Sequence, residues 1–103
     1  RIIENKKTKD ININEGEIFL LPPKVPHSPQ RFENTVGLVI ERKRRRGELD
    51  AFQWYCDECH TLLYEYFFPL TNIVTQLPPI FDGFWKDDDA RTCKCCSAYL
   101  EKP

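Results

Sequence analysis

The chain has 103 residues, with 15 Lys+Arg against 16 Asp+Glu, for a formal charge of −1. That balance argues against a general nucleic-acid binder, which carries a basic excess, and 41% hydrophobic with 30% charged residues is neither a disordered nor a collagen-like composition. The longest apolar run, Ile18 to Leu21 before Pro22 and Pro23, is too short to span a bilayer, and Arg1 to Lys7 lacks the apolar stretch of a secretory signal. The expectation is a cytoplasmic chain with no membrane and no nucleic-acid partner. The length fits one domain, or one domain with a small appendage. A sequence with no Met that begins in mid-pattern reads as a piece of something longer.

Residues 1 to 46 read as β. Asp10-Ile11-Asn12-Ile13-Asn14 alternates polar and apolar, the period of a half-buried strand. Glu15-Gly16 supplies a turn into a strand over Glu17-Ile18-Phe19-Leu20-Leu21, which Pro22-Pro23 stops. A loop stiffened by Pro22, Pro23, Pro26 and Pro29 surrounds His27. Asn34-Thr35 turns into Val36 to Glu41, rich in β-branched residues and read as a buried strand. After the basic run 42 to 46, read as a solvated strand exit balanced by Glu48 and Asp50, residues 51 to 70 are rich in aromatics. Ile80, Phe81, Phe84 and Trp85 share one face of a short helix, with Pro78 and Pro79 at or before its first turn. The expected organisation is a mainly β part over 1–50 and a small metal-binding tail with one short helix over 51–103.

Five cysteines stand at 56, 59, 93, 95 and 96. Cys56-Asp57-Glu58-Cys59 and Cys93-Lys94-Cys95-Cys96 are two C-x-x-C knuckles separated by 33 residues. Two intervening residues let both sulfurs of a knuckle face one point, so Cys56, Cys59, Cys93 and Cys96 can surround Zn or Fe tetrahedrally. Cys95 is then a spare thiol, and His60 is an alternative ligand. Two disulfides, or one redox-active pair, are the competing readings; the odd cysteine count and the lack of a βαβ pattern weigh against them. Metal binding would contribute on the order of 10 kcal/mol to ordering the tail.

Taken singly, His27 reads as a loop histidine bonded to backbone, Arg31 as a surface residue, and Glu41 with Arg42 as an exposed strand-end pair of little energetic value. Their spacing says more. Gly16-x5-Pro22-x4-His27-x3-Arg31 resembles the second motif of the cupin superfamily, departing from it at Lys24, where Gly is usual, and at Arg31, where Asn is usual. The blocks Gly16 to Pro23, Val25 to Phe32 with His27-Ser28-Pro29-Gln30-Arg31 at its centre, and Thr35 to Arg42 together resemble the 3-hydroxyanthranilate 3,4-dioxygenase family. Trp54 to Cys59 and Thr75-Gln76-Leu77-Pro78-Pro79 resemble that family too, and the paired knuckles are similar to its bacterial and fungal forms, which carry a rubredoxin-like second iron.

The resemblance implies the C-terminal part of a cupin-type β-barrel followed by a four-cysteine metal-binding tail. It makes His27 a ligand of a catalytic Fe(II), with the ring inside the barrel rather than at the solvent boundary. Arg31 would hold the carboxylate of 3-hydroxyanthranilate, and Glu41 would contact its ring substituents and act as the catalytic carboxylate. The second co-substrate is O2, and the product, 2-amino-3-carboxymuconate semialdehyde, leads through the kynurenine pathway to quinolinate and NAD. A homodimer is also implied. The family's other iron ligands, a His and a Glu, belong to a first motif that does not occur before His27, so the chain by itself is expected to be inactive, with an open barrel. Two other functions remain: a non-catalytic four-cysteine metal module that binds protein or nucleic acid through residues 42–46, and a cupin-like binding protein without activity.

Overall fold

The structure, a computed structural model, describes residues 1–103. The chain divides into two compact units, Arg1–Glu41 and Arg42–Pro103. No helix is long and apolar enough to cross a membrane.

In the first unit, β1 (Ile2–Glu4) and β2 (Lys7–Lys9) form an antiparallel hairpin, with Ile3 opposite Thr8. Asn5 and Lys6 both take positive φ, 51° and 61°, as a two-residue primed turn demands. The Pro-rich loop lies along β1: Ile3 N donates to Pro26 O at 2.9 Å, Ser28 N donates to Arg1 O at 2.9 Å, and His27 bridges Ile2 between them. The expected turn at Glu15-Gly16 is present, with Glu17 N bonded to Asn14 O at 3.0 Å and Gly16 at φ 80°.

The strands expected over 10–14, 17–21 and 36–41 do not form, and there is no closed barrel. Their alternation is real, but it marks a face that needs a second layer, and backbone that needs a paired edge. Neither exists within this chain. Ile18, Leu20, Val36, Leu38 and Ile40, the alternating apolar set, are 86 to 101% exposed.

In the second unit, β3 (Asp50–Tyr55) pairs antiparallel with β4 (Leu62–Phe68), in register from Asp50 opposite Phe68 to Trp54 opposite Tyr64, after which a bulge shifts the pairing so that Tyr55 faces Leu62. Aromatic residues suit such a pleated surface. The basic run folds back beside β3: Arg42 holds Glu48 through two bonds of 2.8 and 2.6 Å, and Arg44 holds Asp50 at 2.6 Å, the pairing expected from the sequence.

The expected helix is α1 (Ile73–Lys86), followed by the short α2 (Asp88–Arg91). Pro78 and Pro79 lie inside α1 rather than at its start, a correction with a visible cause. Asn72 caps the helix a turn earlier, accepting from Val74 N and Thr75 N at 3.0 and 3.1 Å. Gln76 reaches back, its Oε1 accepting from the Thr71 and Asn72 amides at 2.7 and 2.8 Å while its Nε2 donates to Pro69 O at 2.9 Å. These bonds secure the first turn against the interior prolines, which each remove an intrahelical bond. Asp87 ends α1 and caps α2, its carboxylate accepting from Ala90 N at 3.0 Å.

The core of this unit is aromatic. Phe84, 2% exposed, stacks on Trp54 with centroids 4.2 Å apart and touches Tyr64 and Trp85. Phe81 extends the contact to Phe52, which stacks on Phe68 at 5.6 Å. The helix face read from the sequence is thus the face that meets the hairpin.

Phe84→Ala should destabilise the second unit by about 3–5 kcal/mol through the cavity it leaves; unfolding followed by tryptophan fluorescence reports it directly, because Trp54 and Trp85 line that cavity. Lys24, at φ 62°, occupies a left-handed position that glycine adopts without strain. Lys24→Gly should therefore raise the stability of the first unit by up to about 1 kcal/mol, read from hydrogen exchange of the Ile3 and Ser28 amides that bond across the hairpin and loop, whereas Lys24→Val should lower it.

Candidate metal centre

Cys56 follows β3 directly, and the first knuckle forms the tip of the β3–β4 hairpin. Cys56 N donates to Thr61 O and His60 N donates to Cys56 O, both at 2.9 Å. The second knuckle repeats the pattern after α2: Cys93 N donates to Ala98 O at 2.8 Å, and Ser97 N donates to Cys93 O at 2.9 Å. The residue after the second cysteine is left-handed in both, His60 at φ 59° and Ser97 at 62°. The two turns are therefore copies of one backbone motif, built from different side chains.

They face each other. The sulfurs of Cys56, Cys59, Cys93 and Cys96 lie within 4.8 Å of one another, with Cys56–Cys96 and Cys59–Cys93 at 3.5 Å. Four thiolates at about 2.3 Å from one ion would stand about 3.8 Å apart, close to what is seen. A disulfide needs about 2.05 Å, and all five cysteines are free, so the disulfide reading is not realised. Cys95 is exposed and His60 is not among the converging donors. Cys95 contributes through its backbone instead, its N–H reaching Cys93 Sγ at 3.4 Å.

Cys56 and Cys93, 3% and 1% exposed, form the inner pair, while Cys59 and Cys96 are more open. The Thr61 hydroxyl and amide beside Cys59 hold its thiol down at about 6, so the metal-binding thiolate prevails at neutral pH. The Ala98 amide draws the Cys96 thiol down, but the thiols of Cys59 and Cys56, with burial and Cys93, outweigh it and push it up to about 12. Four sulfurs this close carry four negative charges only with a cation among them, which the donor set is suited to hold.

Arg91 supports the second knuckle, and nothing in its sequence setting announced it. It is buried, donates to Leu100 O at 2.9 Å and Trp85 O at 3.2 Å, and lies between the Trp85 and Tyr99 rings, 5.5 and 4.4 Å from their centroids. Leu100 N returns a bond to Arg91 O at 3.0 Å, and Tyr99 OH donates to Asp88 at 2.7 Å. The segment after Cys96 is thereby bound to the segment before Cys93.

The other sequence-derived residues lie in or at the end of the first unit. His27 Nδ1 is 3.0 Å from Val25 O. A carbonyl only accepts, so Nδ1 carries the proton, which leaves Nε2 as the nitrogen that could take a metal. The ring is exposed rather than enclosed, as are Arg31 and Glu41, because no paired strands close over these segments. No second His, Cys, Asp or Glu cluster forms around it; the four cysteines are the set that converges. Arg31 folds against Gly37, where a Cβ would overlap its guanidinium.

Comparison with known proteins gives this arrangement its class. A family model described as 3-hydroxyanthranilic acid dioxygenase matches residues 1–85, which places the chain among metal-dependent dioxygenase sequences. A 3-hydroxyanthranilate 3,4-dioxygenase of Xanthomonas campestris pv. campestris (strain B100) is 53% identical over 96 residues, covering 93% of this chain and 54% of that protein. The Xanthomonas euvesicatoria pv. vesicatoria protein of the same name is 57% identical over 88 residues, covering 85% and 50%, and that of Candida albicans 48% over 96 residues, covering 93% and 56%. The chain belongs to the 3-hydroxyanthranilic acid dioxygenase family. It spans about half the length of the curated relatives it matches.

Replacing Cys56 or Cys93 with Ser should remove one bound metal per chain, measured by elemental analysis, while Cys95→Ser should leave the metal content unchanged.

Proposed function

We propose that this chain is the C-terminal part of a 3-hydroxyanthranilate 3,4-dioxygenase, which opens the ring of its substrate with O2 to give 2-amino-3-carboxymuconate semialdehyde on the route to quinolinate and NAD. The observation that carries the reading is the block His27-Ser28-Pro29-Gln30-Arg31, inside a segment 48 to 57% identical to proteins of that name.

In this reading His27 is one ligand of a catalytic Fe(II), through Nε2, with its tautomer set by the Val25 carbonyl. When bound, a ferrous ion with open positions supplies a common site for the electron-rich ring and for O2. Arg31 holds the substrate carboxylate through two parallel charge-assisted bonds. Glu41 takes the proton of the ring hydroxyl or accepts from the amino group, so that the ring is oriented as its oxygen loses the proton. The remaining iron ligands, a His and a Glu, lie N-terminal to residue 1. The cysteine centre holds Fe or Zn in a closed, structural site, since four protein ligands leave no open position. The first unit is then a portion of a cupin barrel, and residues 51–103 a rubredoxin-like tail, in a cytoplasmic homodimer.

A polyanion-binding module built on residues 42–46 is less well supported, because Arg42 and Arg44 are already engaged by Glu48 and Asp50.

The full-length protein loaded with Fe(II) should open the ring of 3-hydroxyanthranilate, seen as the rise of product absorbance, and the iron-free protein should not; no turnover in the iron-loaded protein refutes the reading. Arg31→Ala should weaken substrate binding by roughly tenfold to a hundredfold, the worth of a bond to a charged group, with iron content unchanged. Equal affinity in both proteins would remove Arg31 from the substrate site.

A further inference from the structure

The four glycines have different reasons to be glycine. Gly16 and Gly47 sit at φ 80° and 83°, where the backbone itself calls for one, and Gly83 faces open space on α1. Gly37 has neither explanation: its φ is not in the left-handed region, yet a Cβ there would meet atoms at once. The three nearest all belong to Arg31. Such a Cβ would overlap Nη1 and fall 2.7 Å from Cζ and 3.0 Å from Nη2, far inside van der Waals contact.

The whole guanidinium, the far end of a flexible side chain that can move aside at little cost to the fold, occupies the space a side chain at 37 would fill. An arginine side chain on an exposed loop samples many rotamers, and fixing it on binding costs on the order of 1–2 units of the affinity's logarithm. A side-chain-free shelf beneath the guanidinium lets the head group lie close to the backbone and leaves its outer edge to receive a planar acceptor. Between residues 31 and 37, the turn at Glu33-Asn34, with Asn34 at φ 59°, brings the chain back so that the two positions meet.

We propose that Gly37 is a positioning residue for Arg31, its missing side chain setting where the guanidinium waits for the substrate carboxylate. The proposal rests on the assignment of Arg31 as the carboxylate-binding residue and goes beyond it. An alanine at 37 displaces the head group from its resting place, so it weakens carboxylate binding without touching the iron ligands or the proton-transfer carboxylate.

A double-substitution cycle in the full-length protein tests it, with binding of 3-hydroxyanthranilate measured at equilibrium in the absence of O2, and with iron content and thermal unfolding recorded for every variant. Gly37→Ala should raise the dissociation constant about tenfold, the weaker end of what a charge-assisted pair is worth. It should raise KM more than it lowers kcat and leave the iron content unchanged. Added to Arg31→Ala, it should have no further effect, because the group it displaces is gone. If Arg31→Ala itself leaves binding intact, the assignment of Arg31 fails. If Arg31→Ala weakens binding but Gly37→Ala does not, or the two effects multiply, the positioning role of Gly37 is overturned and the assignment of Arg31 survives. Should Gly37→Ala fail to fold, the Arg31→Ala/Gly37→Ala pair decides: recovery of folding supports the contact, and continued failure makes Gly37 a purely structural residue and overturns the proposal.

Discussion

The second unit depends on the meeting of four sulfur atoms. Cys56 and Cys59 end one strand of a hairpin, Cys93 and Cys96 follow a helix pair, and the two knuckles come together only because the intervening chain returns to the same place. The aromatic cluster makes that return possible: Phe84 stacked on Trp54 lays α1 along the hairpin, and Asp87 turns the chain into α2. Arg91 then ties the stretch before the second knuckle to the stretch after it. Apolar packing sets the course of the chain, hydrogen bonds shape the turns, and the sulfurs fix the end point.

Different physics governs the first unit. There the backbone of the His27 loop is pinned by pairing with β1, and the imidazole is oriented by a carbonyl two residues away. The first of these contacts joins residues far apart in the sequence and the second is local, and both are complete without an enclosing barrel. The apolar sets around Ile18 and Leu20 and around Val36 to Ile40 are not complete, since they need another layer to cover them. One short stretch of sequence thus contains a finished piece of geometry next to an unfinished one.

That contrast explains what the sequence made legible. The cysteine set was readable because C-x-x-C spacing is a local rule tied to one chemistry, and the structure brings together the four residues expected and leaves out Cys95 and His60. The face of α1 was readable from its period, but not its start: the proline rule pointed to residue 78, while Asn72 and Gln76 formed a stronger signal a turn earlier. The strands expected in the first unit do not form: periodicity shows which face wants burial, not whether a partner is present. The left-handed residues of the knuckles were hidden because His60 and Ser97 stand where a glycine would have signalled the turn. Arg91 was invisible because its partners are backbone carbonyls and rings that only the fold assembles. The shelf beneath Arg31 looked like one more glycine in a strand.

The duplicated knuckle also shapes how an ion would be captured. Each turn presents two donors separated by two residues, so a chelate of half the final size can close locally, with little loop entropy. Joining the halves through a structureless 33-residue tether would cost about 3 kcal/mol in loop closure. Here that tether is largely a hairpin strand and a helix already packed on each other, so the second half-site waits at a high effective concentration instead of having to search for the first.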